Sequence, residues 1–222
     1  MLLYNKYRST RFDEIIGQEH ITDSLKGLIK TGNYRDLNSI IFACNKAGSS
    51  KTTLSRIFAK AANCQNRTDD GEPCGECDHC KQFESKLYPD YIEIDGASYN
   101  KVEDIKQIVE IANTYPQVPG GTPFILIDEC HRLSNAAWDV MLKLLEEGNN
   151  YTVFLLATTE LHNVRSAIIS RSFVYNLVPL KYRDIYKLLK NIAKKAHGTN
   201  VENQKADPNT APRGLDTAEG IE

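Results

Sequence analysis

The sequence lacks an apolar run that approaches the roughly 20 residues needed to cross a bilayer, which excludes a membrane-spanning helix. It also lacks an excess of one charge, because 27 basic and 29 acidic residues leave a formal net charge of −2. A globally basic surface for nucleic acid is thereby excluded, so any DNA contact has to be local or shared around an assembly. No secretory signal opens the sequence, and we therefore expect an intracellular protein that makes no use of a membrane.

The 222 residues are enough for one large domain or one and a half small ones, and apolar segments of two kinds alternate along them. Short apolar runs predict strands at 39–43, 91–95, 124–127, 152–157 and 173–177. Apolar residues at helical spacing predict helices at 18–30, 52–62, 102–112, 135–147 and 183–196. Ser134 is the expected N-cap of the fourth helix. This alternation predicts an α/β fold in which helices cover both faces of a parallel sheet.

The segment after the first predicted strand has the layout of a phosphate-binding loop. It reads Cys-Asn-Lys-Ala-Gly-Ser-Ser-Lys-Thr-Thr from residue 44 to residue 53 and leads into a predicted helix. The usual pattern is glycine, any four residues, glycine, lysine, and serine or threonine, but here Asn45 and Ser50 occupy the two glycine positions. Asparagine tolerates a left-handed backbone, whereas a serine forced into it costs roughly 1–2 kcal/mol. Taken alone, the loop is a weak match, and an ordinary strand-to-helix turn is the alternative.

Two adjacent carboxylates, Asp128 and Glu129, follow the predicted buried strand at 124–127. Carboxylates at the end of a buried strand are unfavourable unless a bound group needs them, and a magnesium ion with an attacking water would need them. Together with Lys51 and Thr52 of the loop, they indicate a nucleoside triphosphatase.

Four of the six cysteines, separated by nine, two and two residues, form a cluster in the sequence: Cys64, Cys74, Cys77 and Cys80. Two overlapping Cys-x-x-Cys steps with a fourth cysteine nearby are typical of a tetrahedral zinc site. Disulfides are the weaker alternative in a reducing compartment, and a redox Cys-x-x-Cys is a third. His79 is interpreted as a surface histidine, because four thiolates already fill a structural site, and Cys44 and Cys130 as small buried residues.

Further motifs occur in a fixed order around these sites. They are Lys-Tyr-Arg at 6–8, Phe-Asp-Glu-Ile-Ile-Gly-Gln-Glu-His at 12–20, Ile-Asp-Glu at 127–129, Leu-Leu-Glu-Glu at 144–147, Leu-Ala-Thr-Thr-Glu at 156–160 and Ser-Arg-Ser at 170–172. With the loop and the cysteines, this set resembles the gamma/tau subunits of the bacterial DNA polymerase III clamp loader, members of the AAA+ superfamily, over about residues 3–196. The resemblance implies an AAA+ P-loop three-layer fold with a parallel sheet, an inserted four-cysteine zinc module and a truncated helical lid.

In that family, ATP binds between adjacent subunits of a five-membered arc, which opens a ring-shaped sliding clamp and loads it on primed DNA. The resemblance implies that Lys51 neutralises the β- and γ-phosphates, that Thr52 and Asp128 hold Mg²⁺, and that Glu129 polarises the attacking water. The implied nucleotide contacts of the loop are Asn45, Lys46, Ala47, Gly48, Ser49, Ser50, Lys51, Thr52 and Thr53.

The same resemblance implies roles for residues outside the loop. Thr159 takes the place of the sensor residue near the γ-phosphate, and Arg171 acts in trans as an arginine finger on a neighbour's nucleotide. Tyr7, Arg8 and Ile16 lie near the adenine end. ATP, Mg²⁺ and Zn²⁺ are implied as cofactors. Other clamp-loader subunits, the sliding clamp and, through the assembly, primer–template DNA are implied as partners, in the cytoplasm of a bacterial or virus-infected bacterial cell.

The sequence departs from the family pattern at several places beyond the loop. Ser9 replaces a proline, Ser172 replaces a cysteine, and the helical lid is expected to stop after one helix, without its nucleotide-sensing arginine or the collar domain. The expected division is a nucleotide-binding domain at 1–180 that contains the zinc module at 64–80, a partial lid helix at 181–197 and a disordered polar tail at 198–222.

These departures favour ATP binding over efficient turnover and leave two alternatives open. The first is a catalytically weak or inactive subunit of the same machine that resembles the delta-prime subunit. The second is a zinc-containing AAA+-like interaction module without ATP turnover.

Overall fold

The structure, a computed structural model, describes residues 7–46, 48–99, 102–147 and 151–197. Its centre is a sheet of five parallel strands in the order β2-β3-β4-β1-β5. The strands are β1 (Ser39–Ala43), β2 (Tyr91–Asp95), β3 (Phe124–Asp128), β4 (Val153–Thr158) and β5 (Phe173–Asn176). Every residue of β1 and β4 is buried, as expected for strands covered on both faces.

Seven α-helices connect and flank these strands in the described residues. They are α1 (Glu19–Thr31), α2 (Lys51–Ala62), α3 (Asp78–Glu84), α4 (Val102–Ala112), α5 (Asn135–Glu147), α6 (Ser166–Ile169) and α7 (Tyr182–His197). Short 3₁₀ turns occur at Phe12–Glu14, Asn33–Asp36, Cys130–Arg132 and Leu161–Asn163. In the described part of the chain, no helix has both the length and the apolar character that a membrane crossing demands.

Alternate side chains of each strand enter two separate hydrophobic cores. In β1, Ile40 and Phe42 pack with residues of α1 and α2, whereas Ile41 and Ala43 pack with residues of α4 and α5. This arrangement gives three layers, with helices on both faces of the sheet, and it confirms the fold class predicted from the sequence.

The predicted elements agree with the observed ones to within one or two residues at each end. Ser134 caps α5 as predicted, since its Oγ accepts a hydrogen bond from the Ala137 N–H at 3.2 Å. The sequence prediction missed α3, which begins directly after Cys77, contains Cys80 and continues to Glu84. The predicted tail, residues 198–222, lies outside the described residues.

The strand order brings the chemical motifs to one edge of the sheet. Three groups of residues lie at the carboxyl ends of the neighbouring parallel strands β3, β4 and β1. They are the loop after β1, the acidic pair at the end of β3, and Thr158 with Thr159 at the end of β4. In open α/β sheets this edge is where ligands bind.

Candidate functional site

The loop between β1 and α2 carries two left-handed residues in its described part. Gly48 has φ 75°, and Ser50 has φ 67° and ψ 16°, so the serine adopts the conformation that a glycine would adopt without strain. Ser50 makes no side-chain cap on α2. The N–H groups of the first turn of α2 are therefore left to a ligand or to water, as in other anion-binding helix ends.

Lys51, the first residue of α2, carries a buried ammonium group. Only 6% of the residue is exposed. Its Nζ lies 3.5 Å from the Lys46 carbonyl oxygen and 3.5 Å from Ser49 Oγ. Among the described residues, no carboxylate is within ion-pair distance of it. A buried cation without a counter-charge is unfavourable, so this position favours a bound anion.

Asp128 and Thr52 meet across the loop as the sequence predicts. Thr52 Oγ1 donates to Asp128 Oδ2 at 2.8 Å, and the Glu129 N–H donates to Asp128 Oδ1 at 3.0 Å. A threonine hydroxyl and a carboxylate are hard oxygen donors of the kind that Mg²⁺ prefers, so the pair fits this ion.

Glu129 is held in an uncommon backbone conformation by a close neighbour. Its φ is 47° and its ψ 44°, in the left-handed region. Gly96 passes directly beside it: the Gly96 N–H donates to the Asp128 carbonyl at 2.7 Å, and a Cβ at residue 96 would lie 2.8 Å from the Glu129 carbonyl oxygen. Only glycine fits at residue 96 without displacing the acidic pair.

The Glu129 carboxylate is oriented by residues at the end of β4. Thr159 Oγ1 donates to Glu129 Oε2 at 3.0 Å, which brings the predicted sensor residue to the predicted base. His131, which sequence reasoning missed, lies with Nδ1 3.4 Å from the same Oε2 and 3.1 Å from Thr158 Oγ1. The only feature of the sequence that could have identified His131 was its position two residues after Glu129.

A cavity of about 340 Å³ opens beside these groups. Its walls are loop residues 48–53, the acidic pair at 128–129, the N-terminal residues 7–9 and 14–16, and Leu180, Leu188 and Ile192. Tyr7, Arg8 and Ile16, which the resemblance assigns to the adenine end, are among the lining residues. Asn45 and Lys46 are exposed and do not line it, and Ala47 lies outside the described residues. Sequence reasoning missed the apolar residues of α7, although Leu188 and Ile192 share a helical face.

The four clustered cysteines converge on one point. The sulfur atoms of Cys64, Cys74, Cys77 and Cys80 all lie within 4.8 Å of one another. The Cys64 sulfur is 3.5 Å from that of Cys74, 3.9 Å from that of Cys77 and 3.7 Å from that of Cys80. Four sulfurs at the corners of a tetrahedron, each about 2.3 Å from a zinc ion, would be about 3.8 Å apart. The cluster therefore has the size and chemistry of a structural zinc site.

The thiols differ in their environments. Burial raises the pKa of Cys74, but hydrogen bonds from the backbone N–H groups of Cys77 and Glu76 outweigh it and lower that pKa to about 6. Burial raises the pKa of Cys130 well above its usual range, so this thiol stays neutral, in accordance with its interpretation as a small buried residue. His79 is half-exposed and is not one of the clustered ligands. Its Nδ1 lies 2.7 Å from the Asn63 carbonyl oxygen, and its ring packs edge-on against Tyr88.

Arg171 lies at the opposite edge of the sheet from the cavity. It precedes β5, and its carbonyl accepts from Ser39 Oγ, at the start of β1. The exposed guanidinium group forms an ion pair with Glu146 of α5, at 2.7 Å. It therefore cannot reach the cavity of its own chain.

Comparison with known proteins places this geometry in a family. The family model described as DNA polymerase III, delta subunit, matches residues 17–181. Curated relatives include the DNA polymerase III subunit gamma of Buchnera aphidicola subsp. Acyrthosiphon pisum, 36% identical over 86% of this chain and 52% of that protein. The tau subunit of Bacillus subtilis is 40% identical over 76% of this chain and 29% of that protein. The tau subunit of Escherichia coli K12 is 34% identical over 88% and 30%. The chain thus spans about half or less of the length of these relatives.

Solved structures share the fold at low sequence identity. The RuvB Holliday junction branch migration motor of Thermotoga maritima matches with a TM-score of 0.60 and 21% identity, over 86% of this chain and 54% of that chain. A DNA polymerase III gamma subunit-related protein of the same organism matches with a TM-score of 0.51 and 20% identity, over 78% and 58%. These likenesses show the fold, a parallel sheet with helices on both faces, and nothing about activity.

The family match covers residues 17–181, and the curated relatives named above are gamma and tau subunits of DNA polymerase III, the subunits that the motifs resemble. The chain therefore belongs to the family described as DNA polymerase III, delta subunit, and within it is similar to the gamma/tau subunits, as its ordered motifs predicted.

Proposed function

We propose that this chain binds ATP with Mg²⁺ in the cavity at the carboxyl edge of the sheet, as an ATPase subunit of a clamp loader. The observation that carries the proposal is the buried Lys51 ammonium, which has no carboxylate within ion-pair distance among the described residues and stands at the start of α2. Phosphate oxygens would supply the missing negative charge and would accept hydrogen bonds from the open N–H groups of the helix.

The residues around Lys51 supply the remaining parts of a phosphoryl-transfer site. Thr52 and Asp128 would hold Mg²⁺, which when bound neutralises charge on the β- and γ-phosphates. Glu129 would accept a proton from the attacking water, and Thr159 would hold the Glu129 carboxylate until the γ-phosphate arrives. The apolar residues Leu188 and Ile192, opposite the phosphates, would pack against the base together with Ile16.

The cysteine cluster would hold a structural zinc ion beside this domain. Four thiolates complete a closed tetrahedral site with no open position, so zinc would contribute to folding and not to the reaction.

Arg171 would act on a neighbouring subunit. Its exposed guanidinium group at the edge opposite the cavity can meet the nucleotide of an adjacent chain once it leaves Glu146. Other clamp-loader subunits, a sliding clamp and primer–template DNA are the proposed partners, because the chain is similar to gamma and tau subunits of DNA polymerase III. Residues 1–180 would form the nucleotide-binding domain and 181–197 a partial lid.

A catalytically weak subunit is the second candidate. The strained Ser50, at a position where phosphate loops carry glycine, and the delta-subunit description of the family model both favour it. The retained Lys51, Asp128 and Glu129 favour the first candidate.

Calorimetric titration with ATP and Mg²⁺ tests the proposal. ATP at 100 times its dissociation constant should also stabilise the protein by about 2.7 kcal/mol. Lys51→Ala should abolish binding, because the phosphates lose their buried cation. Lys46→Ala is the matched control, because it removes an exposed lysine of the same loop that does not line the cavity. Binding by Lys51→Ala that equals wild type would contradict the proposal.

Turnover separates the two candidates. Glu129→Gln should bind ATP nearly as wild type does and lose hydrolysis, because only activation of water is removed. Hydrolysis that rises when clamp-loader subunits, sliding clamp and primed DNA are added supports the active subunit. ATP binding without turnover in that mixture supports the weak one.

A further inference from the structure

A buried carboxylate joins the cysteine cluster to the wall of the nucleotide cavity. Glu72 lies two residues before Cys74, and only 2% of it is exposed. Its Oε2 accepts a hydrogen bond from the Phe12 N–H at 3.0 Å, and its Oε1 accepts one from the Asp13 N–H at 3.0 Å. Lys26 of α1 supplies the counter-charge, with Nζ 2.7 Å from Oε1. A buried carboxylate satisfied in this way fixes the backbone that donates to it.

The backbone that Glu72 holds continues into the cavity wall. Phe12 and Asp13 lie in a 3₁₀ turn, and the next residues, 14–16, line the cavity. The chain before the turn is tied to its end, since the Thr10 N–H donates to Glu14 Oε2 at 2.7 Å. The position of residues 10–16 therefore depends on the contact of Glu72 with the turn at residues 12–14.

Glu72 is positioned in turn by the loop that joins Cys64 to Cys74. The Thr68 N–H donates to the Glu72 carbonyl at 3.0 Å, and the Glu72 N–H donates to Thr68 Oγ1 at 3.1 Å. Gly71, with φ 89°, lets this loop approach α1, because a Cβ there would lie 3.0 Å from the Lys26 carbonyl oxygen. A metal ion bound to both cysteines would fix the two ends of the loop and, with them, the Glu72 carboxylate.

We propose that metal binding at the four cysteines raises the affinity of the cavity for ATP, and that Glu72 transmits the effect as a positioning residue. The inference rests on the proposed ATP site. Two coupled sites in one protein usually change each other's affinity by a factor of 5–150, and we expect about tenfold here.

The test compares ATP affinity, measured by titration calorimetry on the full chain, with zinc bound and after its removal by a chelator. Zinc removal should weaken ATP binding by wild type about tenfold. Glu72→Ala should bind ATP as weakly as zinc-free wild type, and zinc removal should then change little more. Asp69→Ala is the matched control, because Asp69 is an exposed carboxylate of the same loop. It should keep both the affinity and the zinc response of wild type.

Hydrogen exchange of the nucleotide-free protein gives a readout that does not depend on ATP. Zinc removal, Glu72→Ala and the milder Glu72→Gln should each speed exchange at the amides of Phe12 and Asp13, while amides of β1 and β4 stay protected. Unchanged exchange at residues 12 and 13, or zinc removal that weakens ATP binding equally in Glu72→Ala and wild type, would overturn the inference. A wild-type chain that shows the exchange response but binds no ATP would overturn the proposed function and the ATP coupling, but leave the Glu72 contact standing.

Discussion

Ser50 has a left-handed backbone conformation, which is strained for a residue with a side chain. At φ 67° the Cβ of this residue lies close to its own backbone, as a serine in place of the loop glycine predicts. Ser50 thus keeps the backbone conformation of a phosphate-binding loop but lowers the free energy of unfolding. The Ser50 side chain forms no capping hydrogen bond with α2 that would offset this strain.

Ser50→Gly should therefore stabilise the protein. Relief of the left-handed strain gains roughly 1–2 kcal/mol, and the more flexible unfolded chain offsets about 0.4–1 kcal/mol of it. Denaturant unfolding should show a net gain of about 1 kcal/mol. Ser85→Gly is the control, since Ser85 has φ −80° and a glycine there should destabilise. Equal effects of the two changes would mean that Ser50 is not strained.

Gly96→Ala should damage the acidic pair from outside the cavity. The new Cβ would lie 2.8 Å from the Glu129 carbonyl oxygen and 3.0 Å from that of Asp128, so the backbone has to move. Overpacking of this kind costs about 1–3 kcal/mol of stability, and ATP hydrolysis should fall more than ATP binding. Gly27→Ala is the control, because no heavy atom lies within 4 Å of its Cβ position in α1. It should stabilise by about 0.5–1 kcal/mol. A Gly96→Ala chain with wild-type stability and turnover would contradict the prediction.

Among the elements, the cysteine segment contains both a feature that its sequence predicted, the metal site, and one that its sequence did not predict, α3. Its Cys-x-x-Cys spacing predicted a metal site, and α3 places Cys80 one turn after its own N-cap, Cys77, whose sulfur accepts the Cys80 N–H at 3.5 Å. The helix was missed because it has seven residues, too few for a periodic pattern.

Cys80→Ala should remove the bound metal. Elemental analysis of wild type purified without added metal should find about one zinc per chain, and the variant should hold much less, because three thiolates leave the site open. Cys44→Ala is the control: this buried thiol lies outside the cluster and should leave the metal content unchanged. Wild type without metal, or Cys80→Ala with full occupancy, would contradict the zinc assignment.

In the whole molecule, the residues with proposed functions lie at both ends of the parallel strands. The cavity occupies the carboxyl edge, and Arg171 with its Glu146 partner occupies the amino edge. A ring or arc of such chains would bring the amino edge of one subunit to the cavity of the next, which is how a site incomplete in one chain can be completed by another.

Arg171→Ala should matter only in an assembly. In the isolated chain it should leave ATP affinity and the slow hydrolysis unchanged, since the guanidinium group lies at the edge away from the cavity. In a reconstituted clamp loader it should lower hydrolysis at the neighbouring site by about 10³–10⁵, the range known for arginine fingers. Lys143→Ala is the control, because it removes an exposed charge from α5, the helix that also carries Glu146. Loss of ATP binding by the isolated Arg171→Ala chain would mean that the residue acts in cis.

Periodicity and motifs were enough to predict the order of the elements, the family and most of the polar residues that line the cavity. Periodicity is a local property, so strands such as Ser39–Ala43 and Tyr91–Asp95 were predicted at their observed bounds. Motif spacing is local too, which is why Lys51, Thr52 and Asp128 could be assigned before any contact was known.

The contacts that these residues make with one another and with the rest of the cavity could be read only from the tertiary structure. Three features depend on residues far apart in sequence. They are the burial of Lys51 among the described residues without a carboxylate partner, the Thr159 contact of Glu129 and the α7 side of the cavity. The Glu72 contact joins residues 60 and 59 positions apart. No periodic or spacing signal carries such pairs, because they form only when the packing of the sheet and helices brings distant segments together.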